Sequence, residues 1–230
     1  MLRAAKLPGM VIRPGGGEVI GDSPERRVEI LSDHPSLHAT WSRFAPGREG
    51  ADLHVHRRHS DLFYVLDGEL TVRLGADGDE VVVPAGMVAR VPPLVVHGFR
   101  NGSDADMRYL NFHAPGVGFA DYMRALRDGR SLTYDQEPPP ASGARPASEA
   151  AVSAPPVSVD AIAITEVESV APGASDDLAS YWVLDGDAVF TVDGESLDAP
   201  AGSWVQVPPG TAHSASGGRL LSVRAPGGDR

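Results

Sequence analysis

The stretch "HVHRRHSDLFYVLDGEL", from His54 to Leu70, sets three histidines and an aspartate directly before an apolar run and an Asp-Gly pair. The run "DLFYVL" has the aromatic and β-branched residues typical of a strand, and the Asp67-Gly68 pair is typical of a turn. Two interpretations of the histidines follow from this. They are either metal ligands at the start of a strand or members of a polar loop that is rich in histidine.

The second half of the stretch occurs again later in the chain. "VLDG" at residues 65–68 is repeated at residues 183–186, and each copy is followed in the same order by "PAG", "VPP" and a histidine. The copies end at His97 and His213, and the second is two residues shorter in its hairpin, where length varies easily. Four blocks in one order predict two copies of the same β domain.

Composition excludes several classes of protein. The 230 residues include 31 acidic and 20 basic ones, and a net charge of −11 disfavours nucleic-acid binding. No apolar run approaches the ~20 residues of a membrane span, and we expect no secretory signal at the N-terminus. The absence of cysteine excludes disulfides and thiolate metal sites, so any metal is held by His, Asp or Glu. The cytoplasm is the expected location, and a small organic molecule is the expected partner.

Short runs rich in Val, Ile, Leu and Thr alternate with Gly, Pro and Asp turns, which predicts an all-β sandwich or barrel. One segment differs. Phe119, Tyr122, Met123 and Leu126 have helical spacing, and Gly129 is a suitable C-terminal stop, so we predict a short helix over residues 119–129.

The next segment, residues 130–156, is rich in Pro, Ala and Ser, and we predict an extended linker there. The predicted organisation is therefore an N-terminal arm (1–35), a first barrel with a metal site (36–118), the helix (119–129), the linker (130–156) and a second barrel (157–230).

The candidate site follows from alternation along strands. His54 and His56 are two residues apart, so they face the same side of a strand, and His97 lies on a later strand with Val95 and Phe99 on its own face. If the sheet curls into a barrel, the three imidazoles meet, with Asp61 as the nearest carboxylate. Phe63, Val65, Val95 and Phe99 share this inward parity and are predicted to form the apolar wall of a pocket.

These residues resemble the two sequence motifs of the cupin family. The first motif corresponds to Gly47, His54, His56, Asp61 and Gly68, although its leading spacer is one residue longer than usual and aspartate replaces glutamate. The second motif corresponds to Gly86, Pro92, His97 and Asn101 and recurs at Gly202, Pro208, Gly210 and His213. The whole chain therefore resembles a bicupin, which implies two jelly-roll barrels and often a homodimer, for which "MVIRPGGGEVI" is a candidate edge strand.

The resemblance implies a metal ligand set of His54, His56, Asp61 and His97 for one divalent transition metal, namely Fe, Mn, Ni, Cu or Zn. The shorter side chain of Asp61 is expected to fall short of a glutamate position. Asp61 then ligates the metal, hydrogen-bonds to a metal-bound water, or leaves a three-histidine site. In quercetinase-like cupins the glutamate also acts as a base, a catalytic role that the resemblance offers to Asp61.

The remaining histidines receive structural interpretations. His59 has the opposite parity to His54 and His56 and is predicted to be a solvated loop residue. His34, His38 and His113 are isolated in sequence. The second repeat keeps only His213, so we predict a metal-free second barrel that binds a ligand, covers the first barrel or extends an interface.

Two classes of function are consistent with this pattern. An enzyme is favoured, and a quercetinase-like dioxygenase acting at the first barrel is the leading hypothesis, with a metal-dependent isomerase sharing the same ligands. The alternative is a non-catalytic binding bicupin. The fold by itself does not decide between them.

Overall fold

The computed structural model describes residues 10–159 and 162–227. They form two compact units, one from the described residues of Glu18–Asp160 and the other from those of Met1–Gly17 and Ala161–Arg230. No helix in the described ranges is long and apolar enough to span a membrane.

Strand β1, Met10–Ile12, belongs to the second unit, and the first unit begins at β2. The strands of the first unit are β2 Glu18–Asp22, β3 Arg26–His34, β4 Leu37–Phe44, β5 Ser60–Asp67, β6 Glu69–Leu74, β7 Asp79–Pro84, β8 Val88–Val91, β9 His97–Arg100, β10 Met107–Ala114 and β11 Ala151–Ser153. One sheet has the order β11-β8-β5-β10-β4-β3-β2, and a second has the order β7-β6-β9. All these strand pairs are antiparallel, which confirms the all-β prediction.

The alternation of side chains divides each central strand into an inward and an outward face. On β5 and β10 the register pairs Asp61 with His113 and Phe63 with Asn111. Phe63 belongs to the buried apolar core of this unit. Asp61 is two residues from Phe63 on β5 and Asn111 is its partner on β10, so all three face the same side of the sheet. The polar site therefore lies in the barrel interior beside the apolar core.

The helix α1, Phe119–Arg127, follows β10. The N–H of Gly129 donates to the carbonyl of Leu126 (3.2 Å), and the N–H of Arg130 donates to that of Ala125 (2.8 Å). This pair of bonds needs a residue at positive φ after the helix, and Gly129 has φ 66°. The predicted C-terminal stop is confirmed.

The segment predicted to be a linker packs on the first barrel instead. Val55 and Glu137 exchange backbone hydrogen bonds of 2.9 and 3.0 Å, β11 pairs with β8, and Tyr134 and Asp135 are buried. Extended, Pro-rich backbone has the geometry of an added strand, so the same composition that suggested a linker also suits edge pairing. The prediction that residues 130–156 only connect two barrels is therefore corrected.

The second unit repeats the architecture of the first. β12, Val157–Val159, is the last strand in the residue range of the first unit. The further strands of the second unit are β13 Ile162–Val167, β14 Val170–Gly173, β15 Leu178–Asp185, β16 Asp187–Val192, β17 Glu195–Pro200, β18 Trp204–Val207, β19 His213–Ser216 and β20 Arg219–Ala225. The second unit contains sheets of order β1-β18-β15-β20-β13 and β14-β19-β16-β17. The predicted repeat is confirmed at its turns, since Gly68 and Gly186 have φ of 72° and 69°. β1, which was the candidate dimer strand, pairs with β18 inside the chain.

Candidate metal centre

The four predicted ligands lie together in the first barrel. One donor atom from each of His54, His56, Asp61 and His97 lies within 4.8 Å of the others, and all four residues are buried. His54 and His97 are adjacent across a bridge in which each backbone N–H donates to the other's carbonyl, at 2.8 and 2.9 Å. The geometry therefore supports the interpretation of His54 and His56 as metal ligands rather than as members of a polar loop.

Hydrogen bonds orient the three imidazole rings in the same way. Nδ1 of His54 lies 2.7 Å from the carbonyl oxygen of Asp52, and Nδ1 of His97 lies 3.0 Å from that of Val95. Nδ1 of His56 contacts the carbonyl oxygen of Asp135. A carbonyl only accepts, so each Nδ1 carries the hydrogen and each Nε2 presents a lone pair. This is the arrangement by which proteins fix metal-binding histidines.

The facing lone pairs identify what the site is built to hold. Nε2 of His54 lies 3.1 Å from Nε2 of His56, and two lone pairs at that distance repel each other. If two imidazoles bound one ion with metal–nitrogen distances of ~2.1 Å and an N–metal–N angle of about 90°, their nitrogens would lie about 3 Å apart. Burial lowers the pKa of His54 to about 3, with His97 and His56 adding to the effect, so its ring is neutral and free to ligate. Three imidazoles and one carboxylate fit a divalent first-row metal.

Asp61 reaches this cluster in spite of its short side chain. Oδ2 lies 3.3 Å from Nε2 of His97 and 3.7 Å from Nε2 of His56, and Oδ1 accepts a hydrogen bond from the amide of Asn111. Burial raises the pKa of Asp61, but the interaction with His113 outweighs it, and the pKa lies well below its ordinary value. Asp61 therefore lies within the ligand cluster in spite of its short side chain.

The prediction of a solvated His59 is wrong. His59 is 1% exposed and lies in a second group with His56 and His113, whose donor atoms also lie within 4.8 Å of one another. The parity argument failed because β5 begins at Ser60, so His59 belongs to the preceding loop rather than to a continued strand. His113, interpreted as isolated, is brought to Asp61 by the pairing of β10 with β5.

A chain of polar contacts runs outward from Asp61. Nε2 of His113 lies 3.4 Å from Oδ1 of Asp61, and its Nδ1 lies 2.8 Å from the hydroxyl of Tyr134. That hydroxyl lies 3.0 Å from Nε2 of His59, whose Nδ1 lies 3.0 Å from Oδ2 of Asp135. The two histidines and the tyrosine carry one hydrogen each when neutral and both carboxylates only accept, so at most three of the four contacts are hydrogen bonds at one time.

Asp135 also fixes the loop that carries the ligands. Its carboxylate accepts hydrogen bonds from the backbone N–H groups of Arg57 (3.0 Å) and Arg58 (2.8 Å) as well as from His59, while its carbonyl orients His56. One buried residue from the misassigned linker thus holds residues 56–59 in place. Its only sequence signal is a Tyr-Asp pair within a Pro-rich stretch.

A cavity of about 210 Å³ opens beside the metal ligands. His54, His56 and Asp61 form part of its wall, and so does Phe99, as predicted from its parity. The other predicted wall residues do not line it. Phe63 and Val65 belong to the apolar core, and Val95 is fully buried. The helix supplies four more wall residues, whose spacing predicted one helical face, namely Phe119, Tyr122, Met123 and Leu126.

In the second barrel the retained histidine has different neighbours. Nδ1 of His213 lies 3.1 Å from the carbonyl oxygen of Thr211, and Nε2 lies 2.7 Å from the hydroxyl of Tyr181. Arg224 also contacts that hydroxyl, at 2.5 Å. His213 thus keeps the ring orientation of His97, but its Nε2 faces a hydroxyl group.

Comparison with known proteins identifies the fold family. Residues 40–113 match the family model described as Cupin domain. The first barrel is a cupin domain. The match begins in β4 and ends at His113 in β10, which confirms the resemblance of the two motifs.

One curated relative is quercetin 2,3-dioxygenase from Bacillus subtilis (strain 168). It is 28% identical over 120 residues, which are 51% of this chain and 34% of that enzyme. The chain therefore matches about a third of the length of this relative. The name of the relative describes that protein and does not by itself assign an activity to this cupin domain.

Solved structures resemble the chain over nearly its whole length. Protein Ylba from E. coli has a TM-score of 0.69 at 12% identity, covering 96% of this chain and 91% of its own. Oxalate decarboxylase from Bacillus subtilis, a protein with Mn(II) centres, has a TM-score of 0.61 at 13% identity, covering 99% and 79%. The chain has the bicupin fold, and identities this low concern the fold alone.

Proposed function

We propose that the first barrel is a metal-dependent oxygenase of small organic molecules, with His54, His56, Asp61 and His97 holding one divalent transition metal. The observation that carries the proposal is that His54, His56 and Asp61 also line the cavity. A metal held there would have protein ligands on one side and room for a substrate on the other. A purely structural site has no need of such an opening.

The chemistry divides between the metal and the chain. When bound, the metal supplies a Lewis-acidic and, for Fe, Mn, Ni or Cu, redox-active centre beside the substrate. Asp61 acts as the base on an enol or phenol hydroxyl. The O–H bond breaks, its electron pair stays on the substrate oxygen, and the proton passes to the carboxylate. His113, 3.4 Å from Oδ1, stands where it can share that proton.

The cavity size favours a compact substrate. Its volume of about 210 Å³ is below the ~300–1,000 Å³ typical of sites for drug-sized ligands. Phe99, Phe119 and Tyr122 on its wall exclude water and offer flat apolar surfaces. We therefore expect a one-ring phenol or a small diketone rather than a flavonol. The similarity to a quercetin dioxygenase supports the reaction class rather than the substrate.

An oxygen-uptake screen tests the proposal. Protein loaded separately with Fe, Mn, Ni, Cu and Zn is assayed with catechols, diketones and flavonols, with His97→Ala as the control. We expect catalytic oxygen uptake with one of the redox-active metals on a one-ring substrate, and its loss in the variant. Metal-loaded protein that consumes no oxygen with any of these would contradict the proposal and favour the isomerase or the binding bicupin.

The oligomeric state, the cellular location and the metal content of the second barrel also remain predictions. A homodimer is expected from the family resemblance, and light scattering measures it. β1 pairs with β18 and is the edge strand of its sheet in the described residues, so its other edge stays a candidate for the interface. A cytoplasmic location and a metal-free second barrel rest on the sequence alone.

A further inference from the structure

Arg26 lies on the wall of the cavity. Within the described ranges its guanidinium has no carboxylate at salt-bridge distance and no side-chain hydrogen bond, although Arg27 beside it bonds to both Asp22 and Glu29. Arg26 is only partly exposed, and Val28, two residues further along β3, lines the same cavity. A partly buried charge on an inward face is costly unless something compensates it.

The strand register places Arg26 at the far end of the cavity from the metal ligands. On β4, Thr40 pairs with Asn111, which holds Asp61, whereas Phe44 pairs with Arg26 on β3. Thr40 and Phe44 are four residues apart, which is about 13 Å along a strand. The cavity therefore extends from an electrophilic end to a cationic end.

The wall between these ends is neutral. It includes Thr40, Ser42, Phe44, Phe99 and Tyr109, none of which carries a charge at neutral pH. Burial raises the pKa of Tyr109, which keeps its hydroxyl protonated. The guanidinium of Arg26 is therefore not neutralised by these wall residues and is available to a ligand. In a chain of net charge −11, an unpaired guanidinium is also what would admit an anion against the overall field.

We propose that Arg26 determines specificity by binding a carboxylate on the substrate, so that the substrate class is a small phenol or enol with an anionic side chain. This inference rests on the proposed function for the metal end of the cavity. The guanidinium donates paired hydrogen bonds to a carboxylate, and a partly desolvated pair of this kind is stronger than one in water. Arg26 touches the end of the substrate that does not react.

Two matched probes test the inference. They are 3-(3,4-dihydroxyphenyl)propionate and its primary amide, which differ only in charge at the far end. Calorimetric titration into zinc-loaded protein measures binding without turnover. We expect the wild type to bind the carboxylate on the order of 10- to 100-fold more tightly than the amide, as for one hydrogen bond to a charged group.

The variants assign the preference to one residue. Arg26→Gln is expected to remove the preference by weakening carboxylate binding to about the level of the amide, and Arg26→Lys is expected to restore part of the preference. Arg27→Gln, an outward neighbour on the same strand, serves as the control and keeps the preference. Thermal melts of each variant show that it is folded.

The failure of this inference is distinct from failure of the proposed function. Absence of oxygen uptake with a preserved, Arg26-dependent charge preference would reject the oxygenase and keep the carboxylate site. A wild type that binds neither probe, binds both equally, or keeps its preference in Arg26→Gln would overturn the carboxylate site.

Discussion

Nε2 of His54 lies 3.1 Å from Nε2 of His56, and both nitrogens present lone pairs, because Nδ1 of each ring donates to a backbone carbonyl. Two such atoms repel each other unless a cation lies between them. The backbone therefore holds these rings in an arrangement that favours metal binding, and the same carbonyls select the tautomer that binds metal.

Asp61→Asn tests the carboxylate in its two roles. The amide keeps the shape and is a poorer ligand and a much weaker base, so we expect weaker metal binding and a fall in turnover of roughly 10²- to 10⁴-fold. Metal affinity by competition with a chelator and the initial rate at saturating metal separate the two effects. A variant that turns over at the wild-type rate would exclude Asp61 as the base, and unchanged metal affinity would exclude it as a ligand.

Asp135→Ala tests the residue that holds the ligand loop. The substitution leaves the N–H groups of Arg57, Arg58 and His59 without their acceptor. Loss of such an outer partner typically weakens metal binding by about 10- to 100-fold, and each stranded buried donor costs ~1–3 kcal/mol of stability. Glu137→Gln is the matched control, because Glu137 lies in the same segment but pairs with Arg57 at the surface. Equal metal affinities for the two variants would show that Asp135 does not position the loop.

The metal-free protein should lose stability as the pH falls from 7 to 5. Burial lowers the pKa of His38, His54, His59 and His113 in the folded state, for His54 to about 3, while the unfolded chain titrates near the ordinary value of 6.5. Below pH ~6.5 the unfolded chain therefore binds more protons than the folded one, so stability is full above this pH and declines below it.

Urea denaturation at several pH values measures this effect. Because one group contributes at most ~1.4 kcal/mol per pH unit, a slope steeper than that between pH 6 and 5 indicates several buried histidines. His59→Gln removes one of these groups and should reduce the slope by up to ~1.4 kcal/mol per pH unit. A free energy of unfolding that stays constant from pH 7 to 5 would mean that these rings are not buried and neutral as described.

Local patterns predicted much of the fold. Alternating apolar residues and repeated Gly and Pro turns located the strands, and Gly129 located the end of the helix, since each of these signals acts through neighbouring residues. His54, His56 and His97 were also found in this way. Their shared parity brings the three imidazoles together once the strands are assumed to curl into a barrel.

The rest of the site depends on contacts distant in sequence. His113 faces Asp61 through strand pairing, and Tyr134 and Asp135 come from a stretch whose composition alone suggests a linker. His59 was misplaced because parity was extended beyond the start of β5. The free cation of Arg26 is likewise visible only once the acids near it are known to be paired with other residues.

Metal stoichiometry tests the central claim most directly. Wild type, the double variant His54→Ala/His97→Ala and the control His34→Ala are loaded with a divalent transition metal, desalted and measured by elemental analysis. His34 lies outside the ligand cluster, so we expect one ion per chain in wild type and in the control, and none in the double variant. A double variant that retains one ion per chain, or a wild type that retains none, would contradict the metal centre at His54, His56, Asp61 and His97.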